Sequence, residues 1–383
     1  MSLKNRYLNR HYFVDNLRIL LVILVVIAHL SITYGAEGGW YYFEHTSDTF
    51  SNAILQFIIS TVQAFVLGLF FLISGFFTPK TYQRKGAKNF IKDRLFRLGL
   101  PLLIYEALIN PLLVYLNVIM VQGVKISYWD FFRQNMLPPK IIGTGPLWFV
   151  VALLLFSFVY VLYAKIMGKN EAEVVKSPFP SNLAIGFFVF MITTVTFLIR
   201  IKLPIGWSLK FFHLQFPFYT QYICFFIIGI IAYKKDWLFH IPVAMGKLWL
   251  RVGIVAMLCF PLLAFLGGAL RGEALKFIGG FNWQSYAYGA WESFICFGMS
   301  IGLLSLFQRK LNKENKLSKI LSSNTFSVYV IHAPIIVFLS YTLQSIIIHP
   351  LLKFALVSLI AVPLCFLISN YVILKIPFAR KIL

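Results

Sequence analysis

Ten apolar stretches, most of them about twenty residues long, divide this chain of 383 residues. A helix that crosses the hydrocarbon core of a bilayer needs about 20 apolar residues, and only helices or closed barrels satisfy their backbone hydrogen bonds there. The composition agrees, because 59% of the residues are hydrophobic and 13% are charged, which excludes a water-soluble globular domain. We therefore predict an all-α, polytopic integral membrane protein with about ten transmembrane helices. The stretches cover residues 13–35, 51–78, 98–121, 146–165, 183–200, 215–233, 248–269, 284–307, 321–345 and 350–374.

The distribution of Lys and Arg among the connections predicts the orientation of these helices. The N-terminal tail, the even-numbered connections and the C-terminal tail together hold 24 basic residues, against 8 in the odd-numbered connections. Cytoplasmic loops carry the excess of Lys and Arg, so we expect both termini in the cytoplasm. Nucleic acid is not expected as a partner despite the formal net charge of +22, because the basic residues form short clusters between apolar spans rather than one soluble face.

The sequence predicts neither a second domain nor cysteine chemistry. We expect residues 1–383 to form a single transmembrane domain without a fused extracytoplasmic domain. The first apolar stretch is too long for the core of a signal peptide and lacks a cleavage site, so it should stay attached as a membrane helix. Single cysteines without C-x-x-C spacing support neither a disulfide framework nor a zinc site. They are Cys224, Cys259, Cys296 and Cys365.

Ionisable residues inside the spans are the candidates for function, because they are costly in a membrane. His29, Glu106, Glu292 and His332 lie deep in the predicted spans. His29 is eleven positions after Arg18, which at 100° per residue places both on one face of the first helix, about 16 Å apart along its axis. One helix thus presents a cation near the cytoplasm and an imidazole in the outer half.

A basic segment follows the second span and is a candidate anion site. If that segment is helical, Arg94 and Arg97 point the same way and could form forked hydrogen bonds to phosphate oxygens together with Arg18. They are equally typical of positive-inside markers. Ser74 and Gly75, at the cytoplasmic end of the second span, also fit a close contact between helices.

The other candidates have structural alternatives as well. His332 fits a packing histidine beside the kink at Pro334. Glu106 follows Pro101 and fits a residue that satisfies backbone groups freed in a broken helix. Glu292 is expected in the outer half, at the depth of His29, and is therefore a candidate partner for a histidine.

Five motifs in a fixed order resemble the acyltransferase 3 family of integral-membrane acyltransferases, and the resemblance covers the whole chain. Shorter strings within it, such as F-V-D-N-L-R and G-G-W-Y-Y, are most similar to the branch related to glucan biosynthesis protein C, a succinyl transferase for periplasmic glucans. The five motifs are Arg18 with His29, F-F-L-I-S-G ending at Gly75, R-x-x-R at Arg94 and Arg97, G-P-L-W-F-V from Gly145, and Y-V-I-H-A-P containing His332.

The resemblance implies transfer of a short acyl group from cytoplasmic acyl-CoA, most simply acetyl-CoA, to a hydroxyl of an extracytoplasmic glycan or lipid-linked glycan, in the cell membrane and without a metal. His29 takes the place of the catalytic histidine, and the three arginines take the place of residues that bind the donor. Ser74 and Gly75 match the family without a firm role, and Glu292 or His332 would orient His29. The 16 Å between Arg18 and His29, about eleven helical steps, is comparable to an extended pantetheine arm. The sequence is compatible with direct transfer to the acceptor and with a covalent acyl-histidine intermediate.

Two other classes of protein share some of these features. A transporter or lipid flippase would also carry polar residues and broken helices in its spans, but the chain shows no matched pair of interrupted segments that would indicate an inverted repeat. A structural membrane scaffold would explain the hydrophobicity. It would not explain why a histidine and an arginine share one face of the first helix.

Overall fold

The computed structural model describes residues 11–44, 46–136, 143–168, 174–209 and 214–383, and this part of the chain is helical, with one isolated β-bridge between Leu209 and Leu214. The predicted all-α class is confirmed. The α-helices are α1 (Tyr12–Tyr34), α2 (Thr49–Arg94), α3 (Leu100–Ile104), α4 (Asn110–Met120), α5 (Tyr128–Met136), α6 (Trp148–Met167), α7 (Asn182–Lys202), α8 (Tyr219–Lys234), α9 (Val243–Leu258), α10 (Phe260–Leu266), α11 (Leu275–Ile278), α12 (Trp283–Lys310), α13 (Lys316–Thr342), α14 (Pro350–Tyr371) and α15 (Pro377–Ile382).

Helices long and apolar enough to cross a bilayer make up most of the molecule. Among the described residues there are eight continuous segments of this kind, or nine when α9 and the segment Phe260–Arg271, bent by 40°, count as one span. The protein is therefore a polytopic membrane protein. One of the eight segments, Thr49–Met120, is 72 residues long and contains both the second and the third predicted spans.

This long segment turns back on itself at Gly86. A straight helix of 72 residues would measure about 108 Å at 1.5 Å per residue, far more than the hydrocarbon core. Gly86 has φ 70° and ψ 166° inside α2, a conformation that favours glycine. The rings of Tyr82 and Phe90 stand 5.9 Å apart on either side of it, although eight residues of straight helix would separate them by about 12 Å. If its two arms are counted separately and the bent pair is counted as one span, the described residues hold ten candidate spans, the number that the sequence predicts.

The helix break expected near Pro101 takes the form of two π-helical turns. They cover Leu95–Gly99 and Tyr105–Ile109, on either side of α3. In a π-helical turn the backbone hydrogen bonds join residues five positions apart, which accommodates a proline that has no N–H to donate. Such turns are frequent at functional sites. Glu106 lies in the second turn, partly buried.

Helix α1 occupies the middle of the bundle, packed against α2, α12, α13 and α14. The neighbouring pair α2 and α8 approach each other through glycines. A Cβ on Gly75 would collide with the carbonyl oxygen of Phe226, and one on Gly229 would collide with the carbonyl oxygen of Leu72. Small residues permit this close approach in membranes, and it positions the helices that surround α1.

Candidate active site

Two histidines from different helices meet beside a tryptophan. The ring centroids of His29, in α1, and His332, in α13, are 4.9 Å apart. Trp40 stacks on His29 with a centroid distance of 4.2 Å and lies 6.1 Å from His332. The structure therefore brings together two residues that stand three hundred positions apart in the sequence, and we call these three side chains the histidine site.

Backbone carbonyls hold both imidazoles in the same tautomer. Nδ1 of His29 lies 2.9 Å from the carbonyl oxygen of Val25, and Nδ1 of His332 lies 2.6 Å from that of Tyr329. A carbonyl oxygen only accepts, so each Nδ1 carries the hydrogen and each neutral ring keeps a free lone pair on Nε2. Nε2 of His332 is buried and has no hydrogen-bond partner among the described residues. Both rings are thus prepared to accept a proton at Nε2.

The connection between α1 and α2 supplies Trp40 and is itself held by polar contacts. Tyr41 donates a hydrogen bond of 2.7 Å to Oδ1 of Asn110 and lies 3.3 Å from the hydroxyl of Tyr105. The side-chain amide of Asn117 donates to the carbonyl oxygen of Tyr41. Tyr105, Asn110 and Asn117, rather than Glu106, are therefore the polar residues from this part of the chain that hold the connection beside Trp40.

The G-P-L-W-F motif begins with a turn packed against the same residues. Gly145 has φ 48°, and a Cβ there would collide with the hydroxyl of Tyr41, so this position requires glycine. The next residue, Pro146, accepts a hydrogen bond from the hydroxyl of Tyr329 through its carbonyl oxygen. Since Tyr329 also holds His332, the motif supports the histidine site from the side of α6.

Three arginines gather at the opposite end of α1, which we call the arginine end. The guanidinium of Arg18 lies 5.4 Å from the ring centre of Phe77 in α2 and 3.8 Å from Asp15. Arg94 is close enough to Arg18 and Arg97 for their charges to interact.

The contacts of the arginines do not use all of the N–H donors of their guanidinium groups. Nε of Arg94 is buried and has no partner among the residues that the structure describes, and its guanidinium lies over the ring of Phe90 at 5.0 Å. Arg97 is 67% exposed and lies 3.5 Å from Asp93. The cluster can therefore offer donors to an anion, as the i, i+3 spacing predicts.

Gly75 takes part in helix packing, and Ser74 precedes it in α2. The carbonyl oxygen of Ser74 accepts from the hydroxyl of Thr78 at 2.7 Å. Gly75 is buried at the crossing with α8 described above. The structure thus agrees with the packing alternative for Gly75, while the predicted part of both residues in donor binding stays a prediction.

Glu292 has a partner that the sequence did not indicate. Its Oε2 lies 2.5 Å from Nη1 of Arg200, and both side chains are almost completely buried. Arg200 also donates to the carbonyl oxygen of Pro217 at 3.2 Å. Arg200 ends the predicted span 183–200 and was counted with the basic residues of the following connection, and it lies in the last turn of α7. The ion pair with Arg200, and not a contact with His29, is what the structure shows for Glu292.

Comparison with known proteins shows to which family the chain belongs. A family model described as an acyltransferase domain, that of acyltransferase 3, matches residues 11–370. The chain belongs to the acyltransferase 3 family. No solved structure gives a significant match.

Curated relatives of this acyltransferase cover nearly its whole length. It is 25% identical over 349 residues to glucans biosynthesis protein C of Salmonella typhi, which covers 86% of the chain and 83% of that relative. The protein of the same name from Salmonella schwarzengrund (strain CVM19633) is 25% identical over 394 residues, covering 97% and 94%. That from Salmonella heidelberg (strain SL476) is 26% identical over 349 residues. The resemblance expected from the motifs is confirmed.

Several residues of the acyltransferase site were not singled out from the sequence. Trp40 and Tyr41 belong to G-G-W-Y-Y, which served only as a branch marker, and Asn110 is a polar residue in a span that the search for charges passed over. The aromatic residues that follow the first span and an amide residue within the third span are the sequence signals that indicate these three residues. Arg200 escaped because basic residues near a span end are usually topology markers.

Proposed function

We propose that this membrane protein transfers an acetyl group from cytoplasmic acetyl-CoA to a hydroxyl of an extracytoplasmic glycan, with His29 as the general base. Membership of the acyltransferase 3 family supports the reaction class, and the names of its curated relatives support a glucan-like acceptor. The observation that carries the choice of base is the tether of Nδ1 of His29 to the carbonyl oxygen of Val25. It leaves the lone pair on Nε2, beside Trp40 and His332.

The proposed step is a direct transfer. The acceptor oxygen bonds to the acyl carbon while the bond between that carbon and sulfur breaks. The hydroxyl proton passes to Nε2 of His29 and from there to the thiolate of coenzyme A, which leaves as the free thiol. A neutral imidazole with a free lone pair on Nε2 suits this exchange, since it can take up a proton and give it back. His332, with its own free Nε2, accepts a hydrogen bond from the acceptor and orients it.

The arginine end supports binding of the donor from the cytoplasm. Its three guanidiniums fit the phosphates of coenzyme A. Arg18 and His29 are eleven positions apart, about 16 Å along α1, which the pantetheine arm would cover between the helices. This arrangement requires the arginine end to face the cytoplasm, so both chain termini lie in the cytoplasm and the histidine site opens to the other side of the cell membrane. Because Arg200 lies inside α7, the odd-numbered connections hold one basic residue fewer. Their difference from the even-numbered connections becomes larger, which favours the same orientation.

Two buried cations bear on the choice of acyl group. Arg200 and Lys353 lie in the half of the bundle that contains the histidine site, and each is already paired with a carboxylate, Glu292 and Glu44 respectively. A succinyl group would bring a further carboxylate that needs a cation of its own. The pairing therefore favours the uncharged acetyl group.

Radiolabelled acetyl-CoA tests the chemical role. We expect purified wild-type protein to incorporate label into a glucan acceptor and His29→Ala to lose incorporation while still binding acetyl-CoA. His240→Ala is the matched control, because this histidine is 43% exposed beside Asp236 and lies outside the histidine site. If His29→Ala transfers label as fast as His240→Ala, His29 is not the base. If no variant transfers label and the wild type moves an unmodified lipid, the protein is a flippase.

Donor binding is tested separately at the arginine end. Arg94→Ala should weaken binding of coenzyme A, because the loss removes one charge-assisted donor to phosphate. Arg251→Ala is the control, since Arg251 is exposed on α9. Equal affinities of the two variants for coenzyme A, measured by calorimetry, would remove the phosphate role from Arg94.

A further inference from the structure

Lys353 is a buried cation in a membrane helix that the proposed reaction does not use. It lies in the first turn of α14 and is 5% exposed. Its Nζ is 2.5 Å from Oε2 of Glu44 and 3.5 Å from the carbonyl oxygen of Gln344. It also stands 6.0 Å from the ring centre of Tyr34. A charge at such a place is costly unless paired and is a functional candidate by default.

The contacts of Lys353 join three parts of the chain that frame the histidine site. Tyr34 is the last residue of α1, which carries His29. Gln344 follows the end of α13, which carries His332. Glu44 belongs to the connection from 36 to 48, in which position 45 is not described. One ammonium group therefore ties this connection to the ends of both histidine-bearing helices.

The same connection carries Trp40 into the histidine site. Its return toward α1 is fixed by the backbone amide of Glu44, which donates to the carbonyl oxygen of Thr33 at 2.7 Å. Trp40, four residues earlier, stacks on His29. Loss of the ion pair at Glu44 would therefore loosen one end of the segment that places the indole ring over the imidazole, while Tyr41 stays hydrogen-bonded to Asn110 and Asn117.

A second ion pair joins the connection to the start of α14. Nε2 of His349 lies 3.3 Å from Oδ2 of Asp48, at a more exposed position. The rings of Tyr42 and Tyr341 meet edge to face at 6.0 Å. Of these three ties to α13 and α14 the Lys353 pair is the most buried, so it loses least to solvent screening and should contribute most of the three to the placement of the connection.

A thioester held beside a histidine base faces a competing reaction with water. Water would attack the acyl carbon, the bond from carbon to sulfur would break, one water proton would pass through the base to the thiolate, and free acid and coenzyme A would result. Enzymes suppress such losses by excluding water from the site. A tryptophan stacked on the base presents a large apolar surface for this purpose.

We propose that residues 36–44 of this connection form a roof that keeps water from the histidine site, and that Lys353 positions the end of the roof at Glu44. The inference rests on the proposed function. Lys353 does not touch the reacting atoms. It acts through Glu44 on the placement of Trp40, so its loss should change the fate of the acyl group more than the affinity for the donor.

The test uses purified full-length protein with acetyl-CoA alone and measures release of free thiol. Lys353→Met, Glu44→Gln and Trp40→Ala should each raise the rate of release by about tenfold or more, because water reaches the thioester. Lys353→Arg keeps the ion pair and should restore the slow wild-type rate. Lys375→Met is the control, since Lys375 is exposed at the other end of the same helical segment. Adding His29→Ala to Lys353→Met should abolish the release.

The outcomes separate the roof from the proposed reaction. If wild-type protein transfers label to glucan while thiol release by Glu44→Gln and Trp40→Ala equals that of Lys375→Met, the roof is refuted and the reaction stands. If neither the wild type nor any variant transfers label or releases thiol, the proposed function fails and the roof fails with it. The two substitutions within the roof, Glu44→Gln and Trp40→Ala, keep the test decisive if Lys353→Met does not fold.

Discussion

Arg200 and Glu292 form a buried ion pair, and removing either partner should destabilise the protein. The loss of stability should depend on which of the two residues is replaced. The guanidinium also donates to the carbonyl oxygen of Pro217 and lies 5.0 Å from the ring centre of Phe218. The carboxylate has its Oε1 buried without a partner among the described residues. Glu292→Leu thus leaves a buried cation with one backbone bond, and Arg200→Met leaves a buried carboxylate without its cation.

The magnitudes follow from what each remaining group can do. Removing one partner of a buried pair costs about 3–5 kcal/mol of the free energy of unfolding. A stranded carboxylate can take up a proton and become neutral, whereas a guanidinium stays charged. We therefore expect Glu292→Leu at the upper end of this range and Arg200→Met at the lower end. The double variant should return to within about 1 kcal/mol of the wild type or exceed it, since apolar replacement of a buried pair is often neutral or stabilising.

Thermal unfolding in detergent and label transfer, measured on the same four proteins, test this reasoning. The exposed pair of Glu273 and Lys276 is the control, and its double replacement should change stability by less than about 1 kcal/mol. A double variant no more stable than Glu292→Leu would refute the argument from an uncompensated charge. A stable double variant that has lost transfer would show that the pair has a chemical role, as the sequence predicted for Glu292.

Three further substitutions have expected outcomes of their own. His332→Ala should lower the turnover of label transfer with little change in acetyl-CoA affinity, and an unchanged turnover would exclude His332 from the reaction. Gly75→Ala should cost about 1–3 kcal/mol, because its Cβ meets a backbone carbonyl, whereas Gly186→Ala has open space and should be neutral or stabilising; equal melting temperatures would contradict the packing role. Gly145→Ala should reduce transfer by displacing Tyr41, and full activity would show that this contact is dispensable.

The class of membrane protein and its spans were predictable because they depend on local composition. Span length needs no knowledge of tertiary contacts, whereas the orientation drawn from the basic connections stays a prediction. The reversal at Gly86 was less accessible. A helical run continues on both sides of this residue, and only its φ of 70° shows where the chain turns.

The site was predictable where one helix carries the information. Helical periodicity predicts that Arg18 and His29 share a face, and the structure places them at opposite ends of α1 beside separate clusters. Contacts between distant segments were not predictable in this way. The meeting of His29 with His332, the stacking of Trp40 and the pairing of Glu292 with Arg200 all depend on which helices become neighbours, and no local pattern specifies that.

The backbone tethers of the two histidines have a mechanical consequence. Each ring is fixed to a carbonyl of its own helix, so the separation of the two Nε2 atoms depends on how α1 and α13 are aligned rather than on any side chain between them. A slide of one helix past the other by a single residue would move the nitrogens by about 1.5 Å. The reactivity of the pair is therefore coupled to the register of two membrane helices, and a perturbation at either end of the bundle can change it without touching the site.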